Sequence, residues 1–323
     1  MDFNLDETQQ DLRKLAAEVL AKEDGERLRQ AGLMSVCVPE EAGGAGLGPV
    51  EMAVVLREVG ARAAPVPALP TLVSTLTLAH FGTLDQQRRL SSGATVALRE
   101  PGRALADPPL TAARTVDGGW ALTGRKVSVP YPEAPVLIGA DEGLFLVGSP
   151  SATPEYTSTG EPAATIVLDG TPAERVAGPE AVTGARRLFM AAVAAQASGV
   201  LAGALELTTG YVRTRKQFGR ALAEFQAVTM QIADVYIAAR ALDVAMWSAV
   251  WRLGEGLPAD QDLALAAYHV SEAFRALYTC QHLHGGLGLD VTYPLHRYFA
   301  QAKHLSHLLG GADAQLDLIG ALV

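Results

Sequence analysis

The first part of the chain, residues 1 to about 92, carries apolar residues at helical spacing. One such stripe comprises Leu12, Leu15, Ala16, Val19 and Leu20. Asn4 followed three residues later by Glu7 is a typical helix start, so the pattern predicts a helix that begins there. Further helices are predicted near Val50–Glu58 and Leu72–Phe81, and prolines interrupt the pattern between them. Residues 1–92 are therefore predicted to form a helical domain.

Residues 93–180 differ in composition and hydrophobic pattern. Glycine and proline become frequent, and short runs of β-forming residues replace the helical stripes. The runs are Thr95–Leu98, Trp120–Leu122, Lys126–Val129, Val136–Ile138, Leu144–Val147 and Thr165–Leu168. Asp117-Gly118 lies between two β-forming runs, which is a signal for a two-residue hairpin turn. This part is predicted to be a small β domain.

Residues 181–323 return to helical periodicity. The predicted long helices are Leu188–Val212, Phe225–Leu253, Asp262–His284 and Pro294–Leu308, and a shorter one is expected near Ala312–Ile319. Long alanine-rich helices joined by short loops are typical of a four-helix bundle. The predicted fold class is therefore α+β: an N-terminal helical domain, a middle small β domain and a C-terminal four-helix bundle.

Composition narrows the class of protein. The 323 residues carry 26 Lys and Arg against 35 Asp and Glu, a net charge of −9, which makes non-specific DNA binding a poor hypothesis. Cys37 and Cys280 are the only cysteines, so a disulfide framework is not expected and a reducing cytoplasm is. The N-terminus lacks the pattern of a signal peptide. The uncharged stretch Leu188–Leu205 is long enough to span a membrane, but its small residues, with Gln196 and Ser198 inside, favour a buried helix.

A basic segment, Arg213-Thr214-Arg215-Lys216-Gln217-Phe218-Gly219-Arg220, follows the first long helix of the C-terminal part. Three arginines and a lysine beside a glycine suit a pyrophosphate, because guanidinium groups bind phosphate oxygens bidentately. A solvated basic loop between helices is the alternative.

A second segment, Gln281-His282-Leu283-His284-Gly285-Gly286-Leu287-Gly288, ends the third long helix. Consecutive glycines allow the backbone to approach a ligand closely. The segment differs from a dinucleotide-fold glycine loop, since no strand precedes it. An ordinary glycine cap of a helix is the alternative.

Taken together, the motifs RKQFG with FQ downstream, HGG.G and YP..RYF..AK resemble the acyl-CoA dehydrogenase family. VPEEAGGAGLG, APVPAL and ALREPG, all nearer the N-terminus, resemble the same family, so the likeness extends over nearly the whole chain. Members remove the α proton of an acyl-CoA as H⁺ and transfer the β hydrogen as hydride to FAD, which gives a trans-2-enoyl-CoA.

The resemblance implies a set of FAD-binding residues. The arginine of the family's RK.FG motif reaches the FAD of a neighbouring subunit, and it corresponds to Arg215. The full set that the resemblance implies is Arg215, Lys216, Gln217, Phe218, Gln226, His282, Gly285 and Gly286. In this set His282 replaces the glutamine that is usual in the family, and an imidazole still offers a donor or an acceptor.

The carboxylate base that the family needs is missing at both expected positions. The usual position, in a YEGT-like turn after the last long helix, holds Leu309, and the alternative position on the first bundle helix holds Phe189. The flavin-clamping strands are also altered: REPGRAL replaces a TEPGAGS-like strand, and Val127-Ser128-Val129-Pro130 replaces a WIT/S-like strand. Ser128 is the hydroxyl that remains, and a structural role is the preferred interpretation for it.

This combination resembles the β-type subunit of actinobacterial heterotetrameric steroid-side-chain acyl-CoA dehydrogenases, most specifically in the stretch that begins HLHGGLGLDVTYP. The resemblance implies an α2β2 complex in which a catalytic partner subunit supplies the base and the flavin clamp, and in which two FAD sites form per four chains. It implies a steroid-CoA thioester in the partner's site, an electron-transfer flavoprotein or similar acceptor, and an isolated chain without activity.

Three other interpretations remain open. A homomeric acyl-CoA dehydrogenase with a relocated base is one, and Glu100, Glu206 and Glu224 are its candidate bases. A metal-binding protein is another, because transition metals favour imidazole ligands and the histidines cluster late in the chain. These histidines are His269, His282, His284, His296, His304 and His307. A scaffold that has lost both catalysis and flavin is the third.

Overall fold

The computed structural model describes residues 4–21, 25–133 and 135–322. Within them, the predicted order of helices, strands and helices is confirmed. The chain groups into two compact units, one formed by residues 1–23, 53–64 and 193–323 and the other by residues 24–52 and 65–192. These units do not coincide with the three ranges read from the sequence, so those ranges stay a prediction.

The N-terminal helices are α1 (Glu7–Leu20), α2 (Gly25–Gln30), α3 (Pro49–Ala61), α4 (Ala68–Phe81) and α5 (Leu84–Arg89). The predicted cap of α1 is wrong, because the helix begins at Glu7 and the residue directly before it, Asp6, caps it. The Asp6 carboxylate accepts a hydrogen bond from the Gln9 N–H at 2.8 Å, and the Gln9 amide oxygen accepts from the Asp6 N–H at 3.1 Å. Helices α2 and α5 were not predicted.

The strands are β1 (Thr95–Ala97), β2 (Ala112–Val116), β3 (Gly119–Pro130), β4 (Val136–Ala140), β5 (Gly143–Val147), β6 (Ala152–Glu155) and β7 (Ala163–Ala177). They form one sheet in the order β1-β4-β5-β7-β3-β2, and β6 pairs with β7. Two predicted runs, Trp120–Leu122 and Lys126–Val129, belong to the single strand β3. The predicted hairpin is confirmed: Asp117 and Gly118 have φ values of 49° and 82°, as in a type I′ turn.

The C-terminal elements are α6 (Pro179–Thr214), β8 (Lys216–Gln217), β9 (Arg220–Ala221), α7 (Gln226–Gly254), α8 (Asp260–His284), α9 (Leu295–Leu308) and α10 (Gly311–Leu322). All five predicted helices are present. Helix α6 is the one helix of the described chain that is long and apolar enough to cross a membrane, and 83% of its most apolar stretch is buried in protein.

Small residues allow α6 and α3 to pack at very short range within one compact unit. A Cβ atom at Gly199 of α6 would lie 1.9 Å from the Arg57 carbonyl oxygen, and one at Gly60 of α3 would lie 2.0 Å from the Gln196 carbonyl oxygen. Neither position has room for a side chain. This contact explains why glycine is required at position 199 of α6.

Candidate functional site

The basic segment begins in the last turn of α6, which contains Arg213, and continues into a short exposed hairpin directly after the helix. Strands β8 and β9 pair through Lys216 with Ala221 and Gln217 with Arg220. Phe218 and Gly219 form the turn with φ values of 51° and 81°, and the Phe218 side chain is 93% exposed. Left-handed backbone is unfavourable for a phenylalanine, so the turn holds Phe218 outward at a conformational cost.

The positive charge of this hairpin is not neutralised by its surroundings. Arg213, Arg215 and Lys216 are exposed, and none of these side chains has a hydrogen-bond or ion-pair partner in the part of the chain that the structure describes. Arg220 instead lies over the Phe225 ring, with its guanidinium carbon 3.9 Å from the ring centroid. Three cationic side chains therefore remain available to an anionic ligand. Gln226, the first residue of α7, is also exposed.

The glycine segment forms an open turn at the end of α8. Gly285 has φ 59° and ψ −137°, a conformation open only to glycine, and its N–H caps the helix by donating to the His282 carbonyl. A Cβ atom at Gly285 or Gly286 would meet no atom of the described residues within 4 Å. The capping role and the ligand-approach role are thus compatible. The His282 side chain is exposed beside the turn.

One stacked ring pair brings the two segments together. The Tyr211 ring of α6 lies on the His284 imidazole with centroids 4.4 Å apart and an interplanar angle of 20°. Tyr211 is one helical turn before Arg215, whose N–H donates to the Tyr211 carbonyl at 2.8 Å. His284 directly precedes Gly285. Sequence analysis named His284 only as a possible metal ligand and did not assign Tyr211, although the positions of both residues next to the motifs were the available signal.

Neither expected base position can accept a proton. Leu309 is 2% exposed and Phe189 is 4% exposed, and each belongs to the buried hydrophobic residues of its own compact unit. Both positions therefore contribute to core packing rather than to proton transfer.

The β domain shows a distorted backbone where the flavin-clamping strand is expected. The register of β3 against β7 shifts between Lys126 and Val129, and Ser128 lies in this bulge with φ 53°. Pro130 has no N–H to donate, and its carbonyl accepts a hydrogen bond from the Thr95 hydroxyl at 2.5 Å. The Pro130 carbonyl, next to this bulge, thus serves the fold of the β domain.

Glu100, the first candidate for a relocated base, is fully engaged in a buried ion pair. Its carboxylate accepts from Lys126 Nζ at 2.6 Å, from the Leu110 N–H at 2.6 Å and from the Thr111 N–H and hydroxyl at 2.9 and 2.6 Å. These hydrogen bonds outweigh the opposing effect of burial and lower the pKa of Glu100 to about 2. A carboxylate of that acidity is a poor proton acceptor at neutral pH.

The other two carboxylates lie on the surface. Glu224 accepts a hydrogen bond from the Ala221 N–H at 3.0 Å and so supports the turn before α7. Glu206 is exposed on α6. In the described residues, no three His, Cys, Asp or Glu side chains come close enough together to hold a metal ion, which leaves the metal-binding interpretation without a ligand set.

Comparison with known proteins decides the family. The family model for the acyl-CoA dehydrogenase N-terminal domain matches residues 6–95, and the model for the C-terminal domain matches residues 186–323. This chain belongs to the acyl-CoA dehydrogenase family. It is 40% identical to acyl-CoA dehydrogenase FadE28 of Mycobacterium tuberculosis, an alignment that covers 99% of this chain and 98% of the relative.

Two solved structures are similar over nearly the whole acyl-CoA dehydrogenase fold. A chain of the ChsE4-ChsE5 complex from Mycobacterium tuberculosis superimposes with a TM-score of 0.91 at 32% identity, covering 99% of this chain and 98% of that one. A chain of a Tcur3481-Tcur3483 steroid ACAD variant superimposes with a TM-score of 0.90 at 37% identity, covering 98% and 97%. Both are complexes of two named components.

FAD is the cofactor of the family. The hydrogen-bond donors at the β8–β9 hairpin, called the arginine hairpin below, fit the diphosphate part of FAD. Two guanidinium groups and an ammonium group, which have no side-chain partner among the described residues, match a diphosphate in charge and in hydrogen-bond type. The glycine turn adds backbone that a ligand can approach closely. The β domain, by contrast, presents a proline and a bulged serine where the family has hydroxyl-bearing strands.

Proposed function

We propose that this chain is the FAD-holding, non-catalytic subunit of a heteromeric acyl-CoA dehydrogenase. One arrangement supports the proposal: an exposed cationic hairpin without partners among the described residues adjoins a glycine turn, and these two features are called the half-site below. The base positions, in contrast, are apolar, and the backbone of β3 is distorted at Ser128. A site of this kind is complete only together with a second polypeptide. The proposed complex has α2β2 composition.

In this proposal the chain's residues bind and orient the ADP half of the cofactor. Arg215 and Lys216 hold the diphosphate. Gln217 and Gln226 offer amide groups to other polar atoms of the ADP half. His282, Gly285 and Gly286 border the same ligand. When bound, FAD supplies the hydride acceptor of the reaction. The partner supplies the carboxylate that removes the α proton and the pocket for the acyl group.

An exposed apolar stripe on α7 supports a partner subunit. Met230, Ile237 and Val244 recur every seven residues, or about two helical turns, so they lie on one face. Their side chains are 61%, 64% and 48% exposed. A helix face of this kind is usually covered by another protein surface. The similar ChsE4-ChsE5 and Tcur3481-Tcur3483 structures are complexes, which supports the same interpretation.

The proposed substrate class is a steroid side-chain CoA thioester, which is α,β-desaturated in the partner's site. The support is the similarity to a steroid ACAD over 98% of this chain. A cytoplasmic location and an electron-transfer flavoprotein or similar acceptor complete the proposal. The two buried cysteines, Cys37 and Cys280, are free thiols, in keeping with a reducing compartment.

Flavin counting tests the proposal. The chain is co-expressed with a full-length, base-containing family member, and FAD is counted per polypeptide. We expect a complex with about one FAD per two chains and dehydrogenation of a steroid-CoA thioester, and we expect neither FAD nor activity from this chain alone. A homomer that binds FAD and oxidises an acyl-CoA by itself would contradict the proposal.

Arg215→Ala tests the residue on which the half-site depends. Loss of one charge-assisted phosphate contact corresponds to roughly 1.5–3 kcal/mol, so the complex should bind FAD about ten- to a hundredfold more weakly. Arg125→Ala, an exposed arginine of β3, is the control. Undiminished flavin content in the Arg215→Ala complex would remove Arg215 from the site.

A further inference from the structure

Among the described residues, His284 is the one histidine whose ring contacts both the helix end before the arginine hairpin and the loop after the glycine turn. It is 2% exposed, and three groups surround its ring: the Cys280 carbonyl, the Tyr211 ring and the Tyr293 hydroxyl. Tyr211 belongs to the end of α6 that carries the arginine hairpin. Tyr293 lies on the far side of the glycine turn. The His284 ring thus contacts residues before and after the glycine turn, and it also contacts Tyr211, which precedes the arginine hairpin.

The hydrogen bonds define the tautomer of this imidazole. The Cys280 carbonyl, 2.8 Å from Nδ1, can only accept, so Nδ1 carries the hydrogen. Burial lowers the pKa of His284 and favours the neutral ring. In the neutral ring Nε2 is then an acceptor, and the Tyr293 hydroxyl donates to it at 3.2 Å. This hydrogen bond closes the segment from His284 to Tyr293 into a loop that contains both Gly285 and Gly286.

The stacked Tyr211 ring connects that closed loop to the hairpin. The two rings are nearly parallel, and the Tyr211 hydroxyl lies 3.5 Å from the His284 carbonyl oxygen. Because Arg215 is hydrogen-bonded to the Tyr211 backbone, a displacement of Tyr211 would move the hairpin with it. The glycines have no side chains that could contact the hairpin, so the contacts of His284 and Tyr293 add to the restraint from the 3-10 turn Gly285–Leu289 and from the Gln281 side chain, which donates to the Gly288 carbonyl at 3.2 Å.

We propose that His284, Tyr211 and Tyr293 are positioning residues that hold the glycine turn and the arginine hairpin in one arrangement for the ADP half of FAD. The inference rests on the proposed function and goes beyond it, since none of the three residues belongs to the set expected to bind the cofactor. These three residues, called the clamp below, affect FAD affinity because they hold Arg215, Gly285 and Gly286 in position.

The test uses the complete complex with its catalytic partner. His284→Phe retains an aromatic ring but removes both hydrogen bonds, and Tyr293→Phe removes one hydroxyl. We expect the FAD dissociation constant to rise about tenfold for His284→Phe and about two- to tenfold for Tyr293→Phe. The matched controls are Tyr268→Phe and His269→Phe, a second tyrosine–histidine ring pair on α8 with centroids 5.5 Å apart, and each should change FAD affinity less than twofold.

Two readouts separate positioning from general destabilisation. The visible spectrum of bound flavin and the turnover at saturating FAD should stay unchanged, because the variants act on the ADP half of the cofactor. Tyr211→Phe keeps the stacked ring and should bind FAD nearly normally, whereas Tyr211→Leu should bind it about tenfold more weakly. An altered flavin spectrum, or equal affinities for Tyr211→Phe and Tyr211→Leu, would overturn the clamp.

Arg215→Ala, measured in parallel, distinguishes failure of the clamp from failure of the proposed function. If Arg215→Ala weakens FAD binding while His284→Phe and Tyr293→Phe do not, the clamp is wrong and the proposed function stands. If Arg215→Ala binds FAD like the wild type, Arg215 lies outside the site and the clamp, which acts through Arg215, is wrong as well; the proposed function is then decided by flavin counting in the wild-type complex. Should His284→Phe fail to assemble, Tyr293→Phe decides, because it deletes a single oxygen atom.

Discussion

Replacement of Lys126 by methionine should lower the free energy of unfolding by about 3 kcal/mol. The Lys126 side chain is fully buried in β3 and makes an ion pair with Glu100, whose side chain is 5% exposed. Methionine has a similar length and no charge. The variant therefore removes one partner of a buried pair and leaves the Glu100 carboxylate in place.

Opposing effects set this magnitude. Burial lowers the pKa of Lys126 from 10.5 to about 8, and the hydrogen bonds from Lys126, Thr111 and Leu110 lower that of Glu100 from 4.5 to about 2. Burial thus acts against the charged lysine, whereas the hydrogen bonds favour the ionised glutamate, so the two effects oppose each other within the pair. Breaking a buried pair on one side costs about 3–5 kcal/mol, and the three hydrogen bonds that Glu100 keeps place Lys126→Met near the lower limit.

Urea unfolding at pH 7, followed by circular dichroism, measures the effect. Lys14→Met is the matched control, because Lys14 forms an ion pair with Asp11 on the surface and its side chain is 64% exposed. That variant should change the free energy of unfolding by less than about 0.5 kcal/mol. The double variant Lys126→Met with Glu100→Gln should lose less than the sum of the two single variants. A loss below about 1 kcal/mol for Lys126→Met would refute the reasoning.

Three further predictions concern the same chain. Gly199→Ala should lower the melting temperature sharply, because its Cβ would lie 1.9 Å from a backbone carbonyl of α3. Gly210→Ala, on the same helix, is the control: its Cβ would meet no described atom within 4 Å, and the substitution should add about 1 kcal/mol of stability. Glu206→Gln and Glu224→Gln should leave turnover of the complex within about twofold of wild type; a loss of a hundredfold or more in either would establish a relocated base. The pKa of Glu100 is lower in the native protein than in the unfolded chain, so the contribution of Glu100 to the free energy of unfolding is complete above about pH 4.5 and is lost as the pH falls towards 2. Glu100→Gln should therefore flatten that part of the curve of stability against pH. An unchanged slope would contradict the pKa shift.

Local pattern was sufficient for most of the elements. Long periodic stretches predicted all five C-terminal helices, and the Asp117-Gly118 pair predicted the hairpin because few residues tolerate the left-handed backbone of a type I′ turn. Helices α2 and α5 were missed because six residues are too few for a periodic stripe. The error at the cap of α1 was local too: Asp6 and Gln9 form the same pairing as the expected one, two residues later.

The sequence by itself determined the family, the basic segment, the glycine segment and the apolar residues at the base positions, since each is a matter of residue type and spacing. Tertiary structure decided which groups are already engaged. The contact that makes Glu100 a poor base joins it to Lys126, 26 residues away, and the stack of Tyr211 on His284 joins residues separated by 73 positions. Such contacts depend on how helices and strands pack, and packing brings together positions that no local spacing relates.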